Sequence, residues 1–139
     1  MHKMKNINFP AFVIKVLEEL SDEKETQSIW FIGSRANDRE RLESDWDFIV
    51  FVSDEITERN TRNQNVDIIR VYQNRDYLLE GQNISMCNPF ENWQWIESEP
   101  GLASYTVREI PNVRAGEASD IEDDKYIQLQ GINVWQRNA

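Results

Sequence analysis

Cysteine and histidine are almost absent from this chain of 139 residues, and each shortage excludes a class of chemistry. A single cysteine, Cys87, permits no disulfide bond within the chain, which is typical of a reducing compartment, so we expect a cytoplasmic protein. The one histidine, His2, stands near the start of the sequence, which argues against imidazole zinc sites and against Ser–His catalysis.

Basic residues are also in the minority. Fifteen Lys and Arg stand against 25 Asp and Glu, which gives a formal net charge of −10 and a sequence pI near 4.6. Because binding to a nucleic-acid backbone normally requires clustered cations, we do not expect nucleic acid to be the main partner. The first apolar stretch is interrupted by Lys15, Glu18 and Glu19, so neither a signal peptide nor a membrane span is predicted.

Two apolar runs of strand type flank the most informative stretch of the sequence. The run at 28–32 is followed directly by Gly33 and Ser34. Asp45 directly precedes the run at 46–52, and Asp47 is the second residue of that run. Side chains alternate along a strand, so the two aspartates share one face and lie roughly 7 Å apart along it. If the two strands pair antiparallel, a turn able to hold phosphate faces a carboxylate pair able to hold a divalent metal.

A third carboxylate stands in a similar context. Asp67 follows Val66 at the start of another apolar run, and 13 polar or helix-compatible residues, 53–65, connect that run to the previous one. A connection of this length is sufficient for a crossover between parallel strands. Parallel pairing would place Asp47 and Asp67 at the same end of the sheet.

These motifs resemble the signature of the DNA polymerase beta-like nucleotidyltransferases. That signature is a Gly-Ser turn followed by Asp-x-Asp on the next strand, and it is represented here by Gly-Ser-Arg-Ala at 33–36 and Ser-Asp-Trp-Asp-Phe at 44–48. The short chain is similar to the minimal nucleotidyltransferase branch. The resemblance covers about residues 10–72. It implies an α/β (α+β) fold with a mixed sheet flanked by helices, a nucleotidyltransferase-like core.

The resemblance also implies an activity and roles for individual residues. The activity is the transfer of a nucleoside monophosphate, AMP from ATP in the first instance, to an acceptor hydroxyl with two Mg²⁺ ions. Asp45 and Asp47 would bind both ions, while Asp67 would bind the catalytic ion and take the hydroxyl proton. The nucleotide-binding residues would be Gly33, Ser34 and Arg35. The acceptor would be a small molecule or a small helical protein partner, since minimal members of the family are often paired with a helical toxin that they modify.

Two other interpretations remain open. The first is a non-catalytic binding module that keeps the nucleotidyltransferase fold and acts on a protein partner as an antitoxin or regulator. Catalysis requires Asp67 beside Asp45 and Asp47, whereas a binding module does not. The second is an acidic structural protein with a chance motif, which would not depend on Asp47.

The whole chain, 1–139, is interpreted as one domain, with a C-terminal elaboration at 73–139. A helix is predicted to begin near Pro10 because apolar residues recur at helical spacing to position 20. A short helix is predicted at 74–80 and strands at 102–110 and 126–135. Residues 112–125 are acidic and predicted to form a loop. The tryptophans are interpreted as core residues in preference to a platform for base stacking: Trp93, Trp95 and Trp135.

Overall fold

A computed structural model describes residues 7–59, 65–109 and 125–138, and its main feature is one eight-stranded sheet. The strands, in chain order, are β1 (Thr26–Ile32), β2 (Trp46–Val52), β3 (Val66–Val71), β4 (Asp76–Leu79), β5 (Asn88–Pro89), β6 (Ile96–Glu99), β7 (Leu102–Glu109) and β8 (Lys125–Gln136). They lie in the order β5-β4-β3-β2-β1-β8-β7-β6, and the sheet curls into a half-barrel.

The predicted helix-flanked α/β core is wrong. Within the described ranges the helices are α1 (Ala11–Asp22), the four-residue α2 (Gly33–Ala36) and two short 3-10 turns, Ile84–Met86 and Phe90–Trp93. The described residues after β3 add strands to both sides of the motif-bearing strands, and the only helical segments among them are the two 3-10 turns. None of the helices in this part of the chain is long and apolar enough to cross a bilayer.

The helix predicted at 74–80 is also wrong, because this segment pairs with β3. β4 runs antiparallel to β3, with Leu78 opposite Arg70 and Tyr77 opposite Val71. Leu78 is buried in the core, and pairing of this kind overrides a local sequence preference that is compatible with a helix. The connection at 53–59 contains no helix, and residues 60–64 lie outside the described ranges.

The three motif-bearing strands pair as the sequence predicts. β1 and β2 are antiparallel, with Ile32 opposite Asp47, and β2 and β3 are parallel, with Asp47 opposite Asp67. β2 is apolar on both faces because each face of the sheet carries its own core. On one face Phe48 and its neighbours pack beneath α1, whose buried residues are those of the predicted stripe except that Phe12 is exposed.

The second core lies on the other face of the sheet, and aromatic side chains dominate it. Trp30, Phe90, Trp95 and Tyr105 pack there beside Ile49. Trp135 is buried too, but in the core beneath α1. The prediction that the tryptophans belong to the core agrees with the packing of Trp135, and Trp93 and Trp95 are partly buried against the second core.

The C-terminal strands complete the sheet. β7 and β8, predicted at 102–110 and 126–135, form an antiparallel pair, and β8 in turn pairs with β1. Gly131 does not interrupt β8; a Cβ at this position would come within 2.8 Å of the Trp95 ring, so the ring occupies the space that a side chain would fill. Of the acidic segment predicted as a loop at 112–125, residues 112–124 lie outside the described residues, and residue 125 begins β8.

A buried arginine ties β3 to α1 and β4. Arg70 is only 2% exposed, and its Nε donates to Oε1 of Glu80 at 2.6 Å. Its Nη1 lies 2.9 Å from Oε2 of Glu23, whose other oxygen pairs with Arg59 at 3.2 Å. Burial opposes the charge on Arg70, but Glu80 and Glu23 outweigh this effect and keep the pKa of Arg70 above its usual value. A missing partner would leave a buried charge without compensation.

Candidate functional site

Asp47 and Asp67 lie side by side at the beginning of two neighbouring parallel strands. Each is the second residue of its strand, and the two residues pair in register. Their carboxyl groups are close enough to share a hydrogen bond, and both line the same cavity. The structure therefore brings together two of the three carboxylates that the sequence predicts for the site.

The pKa of the Asp47 carboxyl is raised from 3.8 to about 7. Burial is the main cause, followed by the charge of Asp67 and a hydrogen bond with it, and then by the charge of Asp45; the Arg35 guanidinium acts in the opposite direction. A carboxyl with this pKa carries its proton for part of the time at neutral pH. A cation bound between Asp47 and Asp67 would replace that proton.

Asp45 is less closely associated with Asp47 than Asp67 is. It precedes β2 by one residue and is half-buried, and its charge acts on Asp47. In the described part of the chain, no three or more Asp, Glu, His or Cys side chains form a group that could hold a metal ion. The carboxylates thus form a pair, Asp47 and Asp67, which we call the acid pair, with Asp45 nearby. A pair is a sufficient protein contribution for Mg²⁺, which commonly binds through one or two carboxylates together with water and substrate phosphates.

Gly33 begins the turn after β1 and lies directly against Asp47. Its φ is +83°, and a Cβ at this position would overlap Oδ2 of Asp47. The sequence motif predicts that a glycine is needed here so that a phosphate can come close to the backbone. The structure gives another reason for it, since the aspartate carboxyl occupies the space that a side chain would fill. Its amide donates to Oη of Tyr105 at 2.8 Å.

Replacing Gly33 by alanine is expected to disturb both the turn and the acid pair. The positive φ costs an L-residue roughly 1–2 kcal/mol, and the overlap with Asp47 adds to that. Chemical denaturation should therefore show a loss of about 2–4 kcal/mol, mostly from strain and displacement. Ala36→Gly, in the same turn, serves as a control and should cost about 1 kcal/mol or less. Equal stabilities of Gly33→Ala and wild type would contradict the packing of Asp47 on Gly33.

The two other predicted nucleotide-binding residues, Ser34 and Arg35, differ in whether their side chains already make contacts within the protein. The Arg35 side chain already holds the following loop, since its Nε donates to the carbonyl of Ser44 at 2.9 Å and one Nη to that of Leu42 at 3.3 Å. Its guanidinium also lies over the Trp46 ring, 4.5 Å from the centroid. The Ser34 hydroxyl makes no hydrogen bond to any of the described residues. Ser34 can therefore donate to a ligand without breaking an internal contact.

Tyr105 and Asn37 also belong to the site, although the sequence analysis did not identify them. Tyr105 comes from β7 and accepts the Gly33 amide, and burial raises the pKa of its hydroxyl to about 12, with a further contribution from the charge of Asp47. Asn37 donates from Nδ2 to the carbonyls of Gly33 and Gln130 and accepts the Gln130 amide at 2.7 Å. The two residues fix the turn against β7 and β8. An asparagine after a turn is a weak signal, and no local pattern links Tyr105 to Gly33.

An open cavity of about 480 Å³ lies beside the acid pair, within the size range of small-molecule sites. Gly33, Asp47 and Asp67 form its polar end. Apolar residues from both sides of the curled sheet form most of the rest, among them Tyr77, Trp93 and Tyr105.

Comparisons with protein-family models, with curated proteins and with solved structures give no match to this chain. The site is therefore interpreted from its own residues.

Proposed function

We propose that this protein is a Mg²⁺-dependent nucleotidyltransferase that moves a nucleoside monophosphate, AMP from ATP in the first instance, to an acceptor hydroxyl. The observation that carries the proposal is the in-register pair Asp47–Asp67 beside the Gly33 turn. The resemblance of the motifs to those of DNA polymerase beta-like enzymes supports the same activity. Because function depends on the site and not on the fold, the mostly β architecture does not exclude it. The cytoplasmic location predicted from the single cysteine belongs to the same proposal.

The acid pair fits a divalent cation. Two carboxylates about 4 Å apart repel each other by about 4 kcal/mol at an effective dielectric of about 20, and a shared proton or a cation removes this repulsion. Asp47 and Asp67 are the residues that would hold Mg²⁺, with Asp45 close enough to add negative charge. Bound Mg²⁺ would supply positive charge to the phosphate oxygens and to the attacking oxygen.

The reaction requires few changes in bonding. The acceptor oxygen forms a bond to the α-phosphorus, and the bond from that phosphorus to the bridging oxygen of the β-phosphate breaks, so that pyrophosphate leaves with the electron pair. The hydroxyl proton passes to the acid pair, where Asp67 or Asp47 accepts it. Ser34 donates its hydroxyl to a phosphate oxygen. Tyr105 and Asn37 keep the Gly33 turn in place and so position Ser34.

An NMR titration of the full chain with Mg²⁺ and a non-hydrolysable ATP analogue tests the proposal. We expect the amide signals of Gly33, Ser34 and Arg35 to shift only when metal and nucleotide are both present. Asp47→Asn should abolish the shifts, because it removes a carboxylate from the cation site. Asp22→Asn, an exposed substitution at the end of α1, is the matched control and should behave as wild type. The absence of shifts in wild type at millimolar ligand would reject the proposal.

The contacts of Gly33 and Arg35 favour a second candidate, the non-catalytic binding module. The Gly33 amide and two nitrogens of Arg35 are engaged within the protein, which leaves fewer donors for a triphosphate. Such a module would act through a partner, for example a small helical protein. It predicts no release of pyrophosphate from ATP with any acceptor, even if nucleotide binds.

A further inference from the structure

We infer that the cavity beside Asp47 and Asp67 binds an acceptor molecule whose hydroxyl is carried on a planar, uncharged ring. The inference rests on the proposed function and specifies its acceptor class. It depends on three features of the cavity: the composition of its walls, the geometry of its aromatic side chains and its position relative to the acid pair.

The walls of the cavity are mostly apolar. Aromatic and aliphatic side chains provide most of the lining: Ile32, Ile69, Tyr77, Leu79, Met86, Trp93, Tyr105, Val107 and Leu129. The polar residues besides Gly33 and the two aspartates are Gln82 and Asn88, and no lysine or arginine in the described part of the chain lines the cavity. Away from the acid pair, a triphosphate or another polyanion would have no countercharge in the cavity, and burying it would be costly. The occupant must therefore be largely apolar and uncharged.

The aromatic side chains form a wall suited to a flat ring. The Trp93 ring lies 5.6 Å from that of Tyr77, nearly perpendicular at 77°, and 5.4 Å from that of Tyr105 at 37°. Tyr77 and Trp93 are only half-buried, so part of their surface borders the cavity. Rings arranged in this way favour another aromatic ring in an offset or edge-to-face position.

The position of the cavity suits an acceptor. In the sheet order, Asp67 on β3 and Asp47 on β2 lie between Leu79 on β4 and the Gly33 turn at the end of β1. With phosphates held at the turn, a ring near Leu79 and Tyr77 would approach the acid pair from the opposite side. Its hydroxyl could then attack the α-phosphorus and pass its proton to the pair, while pyrophosphate leaves toward the turn.

The test uses 2-naphthol, a flat uncharged alcohol, as the probe in an NMR titration of the full chain without metal or nucleotide. We expect the indole N–H of Trp93 and the amide of Gly33 to shift. Trp93→Leu should weaken binding about tenfold, because it removes an aromatic contact. Phe12→Leu, which truncates an exposed ring on α1, is the matched control and should leave the affinity unchanged. If Trp93→Leu does not fold, Val107→Trp, which fills the cavity from β7, should abolish binding instead.

Three outcomes would overturn the inference, and they separate it from the proposed function. If Mg²⁺ and the ATP analogue bind but 2-naphthol does not shift these signals, the acceptor class is wrong and the nucleotidyltransferase proposal stands. If 2-naphthol binds but the metal–nucleotide pair does not, the proposed function fails and the acceptor role fails with it. We expect 2-naphthol and the ATP analogue to bind together. Mutual exclusion would assign the cavity to the base of the nucleotide and reject the acceptor.

Discussion

Replacing Asp47 by asparagine is expected to stabilise the folded protein above neutral pH and to abolish the proposed Mg²⁺-dependent nucleotide binding. The raised pKa of Asp47, about 7 against 3.8, means that the folded protein resists ionisation of this carboxyl beside Asp67. A shift of this size corresponds to at most about 4 kcal/mol. Because the side chain is partly exposed, solvent screening reduces the expected gain to about 1–3 kcal/mol. Asparagine removes the like charge and can still hydrogen-bond Asp67.

The same substitution should alter the pH dependence of stability. In wild type, the folded state binds a proton on Asp47 that the unfolded state releases at a lower pH. The resulting stabilisation is fully present below about pH 4 and is lost as the pH rises through about 7. Asp47→Asn should lack this loss, so the difference between the two proteins should be larger at about pH 8 than at about pH 4.

Urea denaturation at these two pH values, with and without Mg²⁺, measures the effect. Mg²⁺ should stabilise wild type and leave the variant unchanged, because a ligand stabilises only the state that binds it. Asp22→Asn serves as the control for loss of one surface charge. An Asp47→Asn protein that is less stable than wild type at about pH 8 would show that the carboxylate has a structural role instead.

Removing the carboxylate of Glu80 is expected to cause the largest loss of stability, about 3–5 kcal/mol. Glu80→Ala leaves the buried Arg70 with Glu23 as its remaining carboxylate partner, and Glu23 is also paired with Arg59. For a chain of this length the melting temperature should fall by roughly 10–15 °C. Thermal unfolding followed by circular dichroism at neutral pH provides the measurement.

Two variants test whether charge is the cause. Glu80→Gln retains an oxygen that can accept from Arg70 Nε, so it should lose less stability than Glu80→Ala. Glu18→Ala, on the exposed side of α1, removes the same charge from the surface and should change stability by no more than about 0.5 kcal/mol. Similar effects of Glu80→Ala and Glu18→Ala would show that Arg70 does not depend on Glu80.

The arrangement of the three motif-bearing strands could be predicted because the signals are local. The run at 28–32 ends at Gly33, the run at 46–52 follows Asp45, and a connection of sufficient length precedes Asp67. Apolar residues on both faces of β2 also agree with its central position in the sheet. These features were enough to bring Asp47 and Asp67 together, since parallel neighbours in register place equivalent residues side by side.

The rest could not be predicted because it depends on contacts between distant parts of the sequence. Segment 74–80 is compatible with a helix, and only its pairing with β3, which brings Glu80 to Arg70, makes it a strand. Tyr105 is 72 residues from Gly33, so no periodic pattern could reveal their hydrogen bond. The packing of the Asp47 carboxyl against Gly33 could not be predicted either, because the sequence does not show that these two residues are in contact.

The position of β8 beside β1 has a consequence for the order in which the site forms during synthesis. A ribosome carrying the chain as far as β4 has already produced all of the motif residues, but β1 then has no neighbour on the side that β8 later occupies. Tyr105 would not yet hold Gly33, and the wall of the cavity that β7 and β8 provide would be absent. The site is therefore expected to remain incomplete until residues 125–136 have left the ribosomal exit tunnel.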